Sequence, residues 1–361
     1  MAIEERVWPD IAVPPGEILA ETLEAKGISQ AELARRAGRP TQAISEIVQG
    51  KKEITADTAI EFERVLGIPA HIWVRLEADF RATRARLADA QKLASEVPLS
   101  RECPYKEMAS FGWVPAESDK IERVRNLLSF FAVASLKNLS ATAEWRRSSA
   151  LTASECALAA WLRQGEIEAR KLAIGKFDAT ALQDILPALR SFTREKPAAF
   201  EPKLTKVLAD VGVALVFVPH LKKTGAHGAT RWLGPKAVVE LSVRYRWADI
   251  FWFTLFHELA HLVHHGRKGI FINSDSSQRE PREREADRFA ADTLIPKSAY
   301  ARFLERRTQF SADATRAFAE QIGVQSGIVV GRLQHDRKIP RSNLNGLREQ
   351  YSLEPDKVDR G

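Results

Sequence analysis

Residues 257–265 read HELAHLVHH, and a short way downstream residues 283–287 read EREAD. A helix advances about 100° per residue, so His257 and His261, four apart, project from one face and can close on a single ion. Glu258 is rotated too far to join that ligand set, but it is placed to reach a water bound to the ion, where it reads as a general base. Zinc hydrolases keep three protein ligands and an open fourth position, so one more ligand must come from another segment. Glu283 is the candidate. The EREAD stretch has helical composition, which puts Glu283 and Asp287 on one face, the first to bind metal and the second to accept the spare N–H of a ligand histidine. Glu285 points elsewhere on that helix and is the alternative ligand. Four of the chain's eight histidines fall within residues 257–265. His264 and His265 lie near the metal face one turn deeper, where they support ligands or end the helix rather than bind the ion.

Around this stretch the pattern is that of a mainly α protein with a small β-sheet, an α+β class. VGVALVFVP (211–219) is a buried strand, and ATRWLG (229–234) and AVVELS (237–242) form two more around the Gly234-Pro235 turn. Enzymes of this kind lay the substrate backbone along a sheet edge, which makes AVVELS the expected template. After Asp287 come RFAADTLIP and helices near Ala299–Arg306, Ala312–Ile322 and Ser326–Leu333, then a polar tail over 341–361.

The N-terminal part is all helix. In PPGEILAETLEAKG (14–27) a proline pair opens a helix that Gly27 ends. In ISQAELARRAG (28–38) Ser29 and Glu32 form a capping box. RPTQAISEIVQGKK (39–52) holds a second short helix with Ile44, Ile47 and Val48 buried. A further helix, Thr55 to Leu66, leads through Trp73, giving a helix-turn-helix pattern. The charged stretch 77–94 reads as a connecting or dimer-forming helix, and Pro98 to Pro115 marks a boundary. Amphipathic helices follow from Ser118 to Ala209, with Trp145, Trp161 and Phe177 as packing residues. The expected domains are therefore 1–90, a helical middle region 91–209, a metal-bearing domain 210–340 and the tail.

At 361 residues, 45% apolar and 28% charged, the composition is that of a soluble globular chain with several cores. Residues 1–20 lack the basic start and apolar run of a secretory signal, and no apolar run is long enough to span a membrane. Cys103 and Cys156 lack metal-type spacing and suggest no disulfide framework, so a reducing cytoplasm is expected. The net charge of +7 is not evenly spread: residues 1–90 hold 12 basic against 15 acidic side chains. Nucleic-acid contact must then be argued from a local surface.

Two resemblances follow from these residues. PGEIL (15–19), SQAELA (29–34) and ITADTA (54–59) resemble the Cro/C1-type (XRE) helix-turn-helix family, and more narrowly its HigA-like antitoxin branch. The resemblance places Gln30 against a DNA phosphate and Thr41, Gln42 and Ser45 on the groove-facing side of the recognition helix. Arg39, Lys51 and Lys52, with Arg35 and Arg36, would neutralise phosphates. It implies a double-stranded operator and a homodimer. HELAHLVHH followed by EREADRFAADTLIP resembles the ImmA/IrrE metallopeptidases, whose signature is HExxH followed by ExxAxxFAxxLLxP. It implies a zincin-like domain with His257, His261 and Glu283 on zinc and Glu258 catalytic. Asp287 replaces a frequent Asn, and Thr293 an apolar residue. Two histidines and a carboxylate suit Zn2+, while Mn2+ is possible. Tyr245, Arg246 and His227 are candidates to steady an oxyanion. The expected function is a DNA-binding regulator whose zinc endopeptidase domain cuts a regulatory protein: a partner repressor, a toxin or itself. The alternative is an antitoxin that represses its own operon and binds a toxin, with the peptidase fold serving as sensor or binding surface.

Overall fold

The structure, a computed structural model, describes residues 11–140, 152–242, 247–266, 270–274, 281–305 and 309–351. It divides into two compact units, residues 1–97 and 98–361.

The first unit contains α1 (Pro15–Lys26), α2 (Gln30–Arg36), α3 (Thr41–Val48), α4 (Ala56–Leu66) and most of α5 (Ala70–Ser100). Gly27 and Gly67 close α1 and α4 in the left-handed conformation, at φ 64° and 73°, which glycine adopts without steric cost. Ser29 accepts from the backbone N–H of Glu32 at 3.1 Å, so the expected N-cap forms. The reciprocal half of the box does not, because the Glu32 carboxylate pairs instead with Arg35 and Arg36. Leu33, Ile44, Ile47, Phe62 and Trp73 make a dry core, with Phe62 edge-on to Trp73 at 5.7 Å. Gly16 lies so close to the α3 backbone at Ile47 that a Cβ would collide with it.

The second unit begins with α6 (Tyr105–Ser110), α7 (Lys120–Phe131), α8 (Ala153–Lys171), α9 (Ala179–Ser191) and α10 (Pro197–Asp210). The sheet follows: β1 (Val213–Val218), β2 (Ala226–Leu233), β3 (Lys236–Ser242), and, after α11 (Ala248–His264), β4 (Phe271–Ser274). The chain closes with α12 (Pro281–Leu294), α13 (Lys297–Glu305), α14 (Ala312–Ile322) and α15 (Ser326–His335). Trp161 is fully buried and Phe177 packs edge-on to Trp232; Trp145 lies outside the described residues.

Strand order is β1-β3-β2-β4, with β1 parallel to β3 and the other pairs antiparallel. This corrects the reading of AVVELS: β3 is an interior strand whose backbone groups are taken on both sides, so it cannot template a substrate. The exposed edge nearest the metal helix is β4, a four-residue strand too short to be read from its sequence. Alternation along β3 sends Ala237, Val239 and Leu241 into the core shared with α11 and Glu240 to the opposite face, against Gly165 of α8.

Several long-range bonds fix the frame. Arg190 of α9 donates to the carbonyls of Leu294 (2.9 Å) and Ile322, ending α12 and α14 with one guanidinium. The described part of the expected polar tail, up to Tyr351, packs on the second unit. Arg348 forms a two-pronged pair with Asp249 at 2.8 and 3.1 Å, and Tyr351, 3% exposed, accepts from Trp252 Nε1 at 2.9 Å. Its aromatic and charged residues are too sparse to give a helical or strand period. Residues 352–361 lie outside the described residues.

Cys103 and Cys156 are joined by a disulfide, against the sequence expectation, tying the entry of α6 to α8 across 53 residues. Spacing in the chain carries no information on this proximity. Reduction is expected to lower the unfolding free energy by about 2–4 kcal/mol through the loop-entropy effect, measured by urea denaturation with and without dithiothreitol. Equal midpoints would show that the bond does not persist in solution.

Glu240 is fully buried with neither carboxylate oxygen hydrogen-bonded. Burial holds its pKa well above the ordinary 4.5, opposed by Arg231 and reinforced by Glu258. The folded state therefore keeps a proton that the unfolded state releases above about pH 4.5, so this group's stabilising share is full below that pH and declines as pH rises. Replacing Glu240 with Gln removes that decline, worth at most about 1.4 kcal/mol per pH unit. The difference between the melting temperatures at pH 5 and pH 8 should be smaller in the variant than in the parent; an equal difference would rule out the coupling.

Candidate metal centre and nucleic-acid interface

α11 lies between the sheet and the last helices, and nearly all its residues from Ala248 to Leu262 are buried. A helix apolar on all sides is stable only as the centre of a domain, and of the polar residues it carries His257 and His261 face α12. His257 is 1% exposed, Glu258 and His261 0%, and Glu283 5%.

His257, His261 and Glu283 each offer a ligand atom, all within 4.8 Å of one another. Nε2 of His257 stands 3.2 Å from Nε2 of His261 and 3.2 Å from Oε2 of Glu283, and Nε2 of His261 is 3.4 Å from Oε1 of Glu283. Zinc with bonds of about 2.0–2.1 Å in tetrahedral geometry requires donors about 3.3–3.4 Å apart. The donor set thus fits a zinc-sized ion on both chemistry and spacing. Glu285, the alternative ligand, instead lies 3.2 Å from Nε2 of His265.

The other ring nitrogens are also engaged. His257 Nδ1 donates to Asp287 Oδ1 at 2.8 Å. His261 Nδ1 is 3.0 Å from Nδ1 of His265, whose Nε2 faces Glu285. Both anticipated supports, Asp287 and His265, therefore stand beside a ligand histidine, fixing ring orientation. Phe271 of β4 stacks on the His261 ring at 4.4 Å, a contact the sequence did not suggest. His264 is exposed and turns to Phe289 at 5.1 Å.

Electrostatics follow from burial with few partners. Burial and the neighbouring His257 pull His261 down to about 2, leaving it neutral with a lone pair to give. Burial disfavours charge on His257 too, but the carboxylates of Asp287 and Glu283 outweigh it and raise that ring to about 10. Burial pushes Glu258 up to about 8, with His257 pulling the other way.

Glu258 is held from the sheet. Thr230 Oγ1 of β2 donates to Glu258 Oε2 at 2.7 Å, while Oε1 has no hydrogen-bond partner. Gly228 faces that oxygen so closely that an added Cβ would stand 2.6 Å from it. His227 sits in the β2 bulge beside Gly228; Tyr245 and Arg246 lie outside the described residues. Thr230 and Gly228 were missed in the sequence, where GATRWLG (228–234) carries no mark distinguishing them from structural strand residues.

In the first unit, Thr41 and Gln42 are exposed at the start of α3 and Ser45 is half-buried. Gln42 Nε2 donates to Glu46 Oε1 at 2.9 Å and Gln49 Nε2 to Ser45 Oγ at 3.2 Å, weak surface bonds that base edges can replace. Gln30 is half-buried as the first residue of α2, and Lys51 and Lys52 are exposed just past α3. Arg39, expected at a phosphate, is paired with Glu61, while Glu32 holds Arg35 and Arg36. The Glu32 pairs were readable as i,i+3 and i,i+4 spacings; the Glu61 pair was not.

Comparison with known proteins follows these two sites. The IrrE N-terminal-like domain matches residues 248–334 and the helix-turn-helix domain residues 19–73. Virulence-associated protein I of Dichelobacter nodosus is 34% identical over 98 residues, 27% of this chain and 90% of that protein. Among solved structures, an addiction module antidote protein of a HigA family from Coxiella burnetii is 31% identical, covering 24% of this chain and 94% of its own, with TM-score 0.22. The Pseudomonas aeruginosa antitoxin HigA with higBA promoter is 31% identical, covering 24% and 95%, with TM-score 0.23.

Proposed function

Since the chain belongs to the XRE-type helix-turn-helix family and joins to it an IrrE-like metallopeptidase domain, we propose that it is a DNA-binding regulator whose second unit hydrolyses a peptide bond in a regulatory protein. The observation that carries this reading is the buried carboxylate of Glu258, fastened by Thr230 with one oxygen free, beside a three-ligand set of zinc dimensions.

His257, His261 and Glu283 would hold the ion. Bound there, zinc would supply the positive charge that acidifies water and polarises a carbonyl. Glu258 would accept a proton from the attacking water and return it to the leaving nitrogen. A carboxyl raised by burial toward neutrality suits both halves of this transfer. Asp287 and His265 keep the ligand rings in one tautomer. The outer edge of β4 is the strand along which an extended substrate would pair.

The test is an intact-mass time course of the purified chain with zinc or manganese, alone and with the product of the adjacent gene. Fragments are expected. No cleavage with metal bound would transfer the reading to the antitoxin, whose metal site serves as sensor or binding surface.

For the first unit, Gln42→Ala is expected to cost about 1–3 kcal/mol at one operator position and to relax the preference there, whereas Lys51→Ala should weaken all sequences alike and reduce the salt slope by about 1. Fluorescence anisotropy across a salt series distinguishes them; equal effects on specific and random duplexes would remove Gln42 from the base-reading set.

A further inference from the structure

A cavity of about 610 Å³ opens beside the candidate metal centre between α11, α12 and α15. Ile250, Phe253, Ala291, Leu294, Ile295 and Ile328 give it an apolar wall, and Arg288, Arg332 and Arg341 bring cationic side chains to its rim, in a volume that takes a small molecule. Asp249 and Arg348 line it too, but each neutralises the other at 2.8 Å. A second cavity of about 570 Å³ adjoins it, sharing Gln334, His335 and Arg341 and continuing over Arg337 and Lys338. No acidic residue lines this second cavity. Asp336, the nearest acid in sequence, is turned to Arg332 and His335 at 2.7 and 3.1 Å. Arg337 takes the left-handed conformation, φ 56°, as the residue that ends α15, where the N–H of Lys338 closes on the Leu333 carbonyl at 2.8 Å.

An apolar cavity that shares Gln334, His335 and Arg341 with a neighbouring cationic one is complementary to a molecule with an apolar body and one anionic head. We propose that these neighbouring cavities bind a monomeric amphiphilic anion of the fatty-carboxylate class, the chain lying among Ile250, Ala291 and Ile328 and the head group at Arg341, which lines both, and Lys338. Asp287 also lines the apolar chamber while accepting from His257 Nδ1. A ligand in the chamber therefore touches the residue that orients a metal ligand, and the two occupancies are coupled. By linkage, each changes the affinity of the other by the same factor.

Decanoate, kept below its micellar concentration, is titrated calorimetrically into the full chain, with decanol and anionic phosphatidylglycerol vesicles as parallel arms. One decanoate per chain is expected, at least ten-fold tighter than decanol and weakening with salt. Arg341→Glu, at an exposed position, should lose at least ten-fold for decanoate and little for decanol. Ala291→Phe, which fills the chamber, should abolish both, and circular dichroism reports whether it folds; if it does not, Arg341→Glu decides. Saturating decanoate should shift the zinc affinity at least three-fold. Absence of saturable binding, several molecules per chain indifferent to Arg341→Glu, or capture by vesicles without free decanoate would overturn the ligand assignment. An unchanged zinc affinity would overturn the coupling.

Discussion

With Gln in place of Glu258, the chain is expected to keep zinc at one ion per molecule and to lose peptide hydrolysis by about 10²- to 10⁴-fold. The substitution is close to isosteric and keeps the hydrogen bond from Thr230, if the amide oxygen takes the place of Oε2. It removes the group that accepts the proton. Burial raises that carboxyl to about 8, so near neutral pH the amide replaces a group that is already mostly neutral, and the variant should unfold at an equal or higher temperature than the parent. That separates a chemical defect from a structural one. Intact mass reads the fragments and atomic absorption the metal. Cleavage at the parental rate would exclude Glu258 as the base; zinc lost together with activity would mean the carboxylate holds the ion directly.

The second large effect concerns the third ligand. Glu283→Ala should weaken zinc binding by more than about 100-fold, since loss of a mere supporting partner already costs about 10- to 100-fold, and it leaves both Nε2 atoms facing an empty corner. Glu285→Ala should cost no more than about ten-fold, because that carboxylate reaches only His265. Competition with a chromogenic chelator measures both. Reversal of the order, with the Glu285 variant the weaker binder, would exchange the roles of the two residues.

Much of the site was legible in the sequence because helical periodicity is a local rule. His257 with His261, and Glu283 with Asp287, are four apart, and the spacing alone determines which side chains share a face. What crosses between elements was not. Thr230 reaches Glu258 from 28 residues away and Arg348 reaches Asp249 from 99 away, and no period in the chain records either. Sheet order shows the same limit. Three strands were visible as apolar runs, but the parallel pairing of β1 with β3, which puts β3 inside, leaves no local mark, and β4, which makes the edge beside β2, is four residues long and placed after α11. The disulfide and the seating of Tyr351 are long-range in the same way.

α12 brings three carboxylates to the candidate metal centre: Glu283 beside both Nε2 atoms, Asp287 behind His257, and Glu285 behind His265. They span little more than one turn, so a rotation of α12 by a single residue, about 100°, would withdraw all three together. On the proposed reading an ion held there would be a rivet between two helices as well as a reagent. Its binding free energy would be added to the docking of α12, about 2.7 kcal/mol at a free concentration one hundred times the dissociation constant. The supply of the metal would then set how long this part of the chain stays closed to proteases and to unfolding.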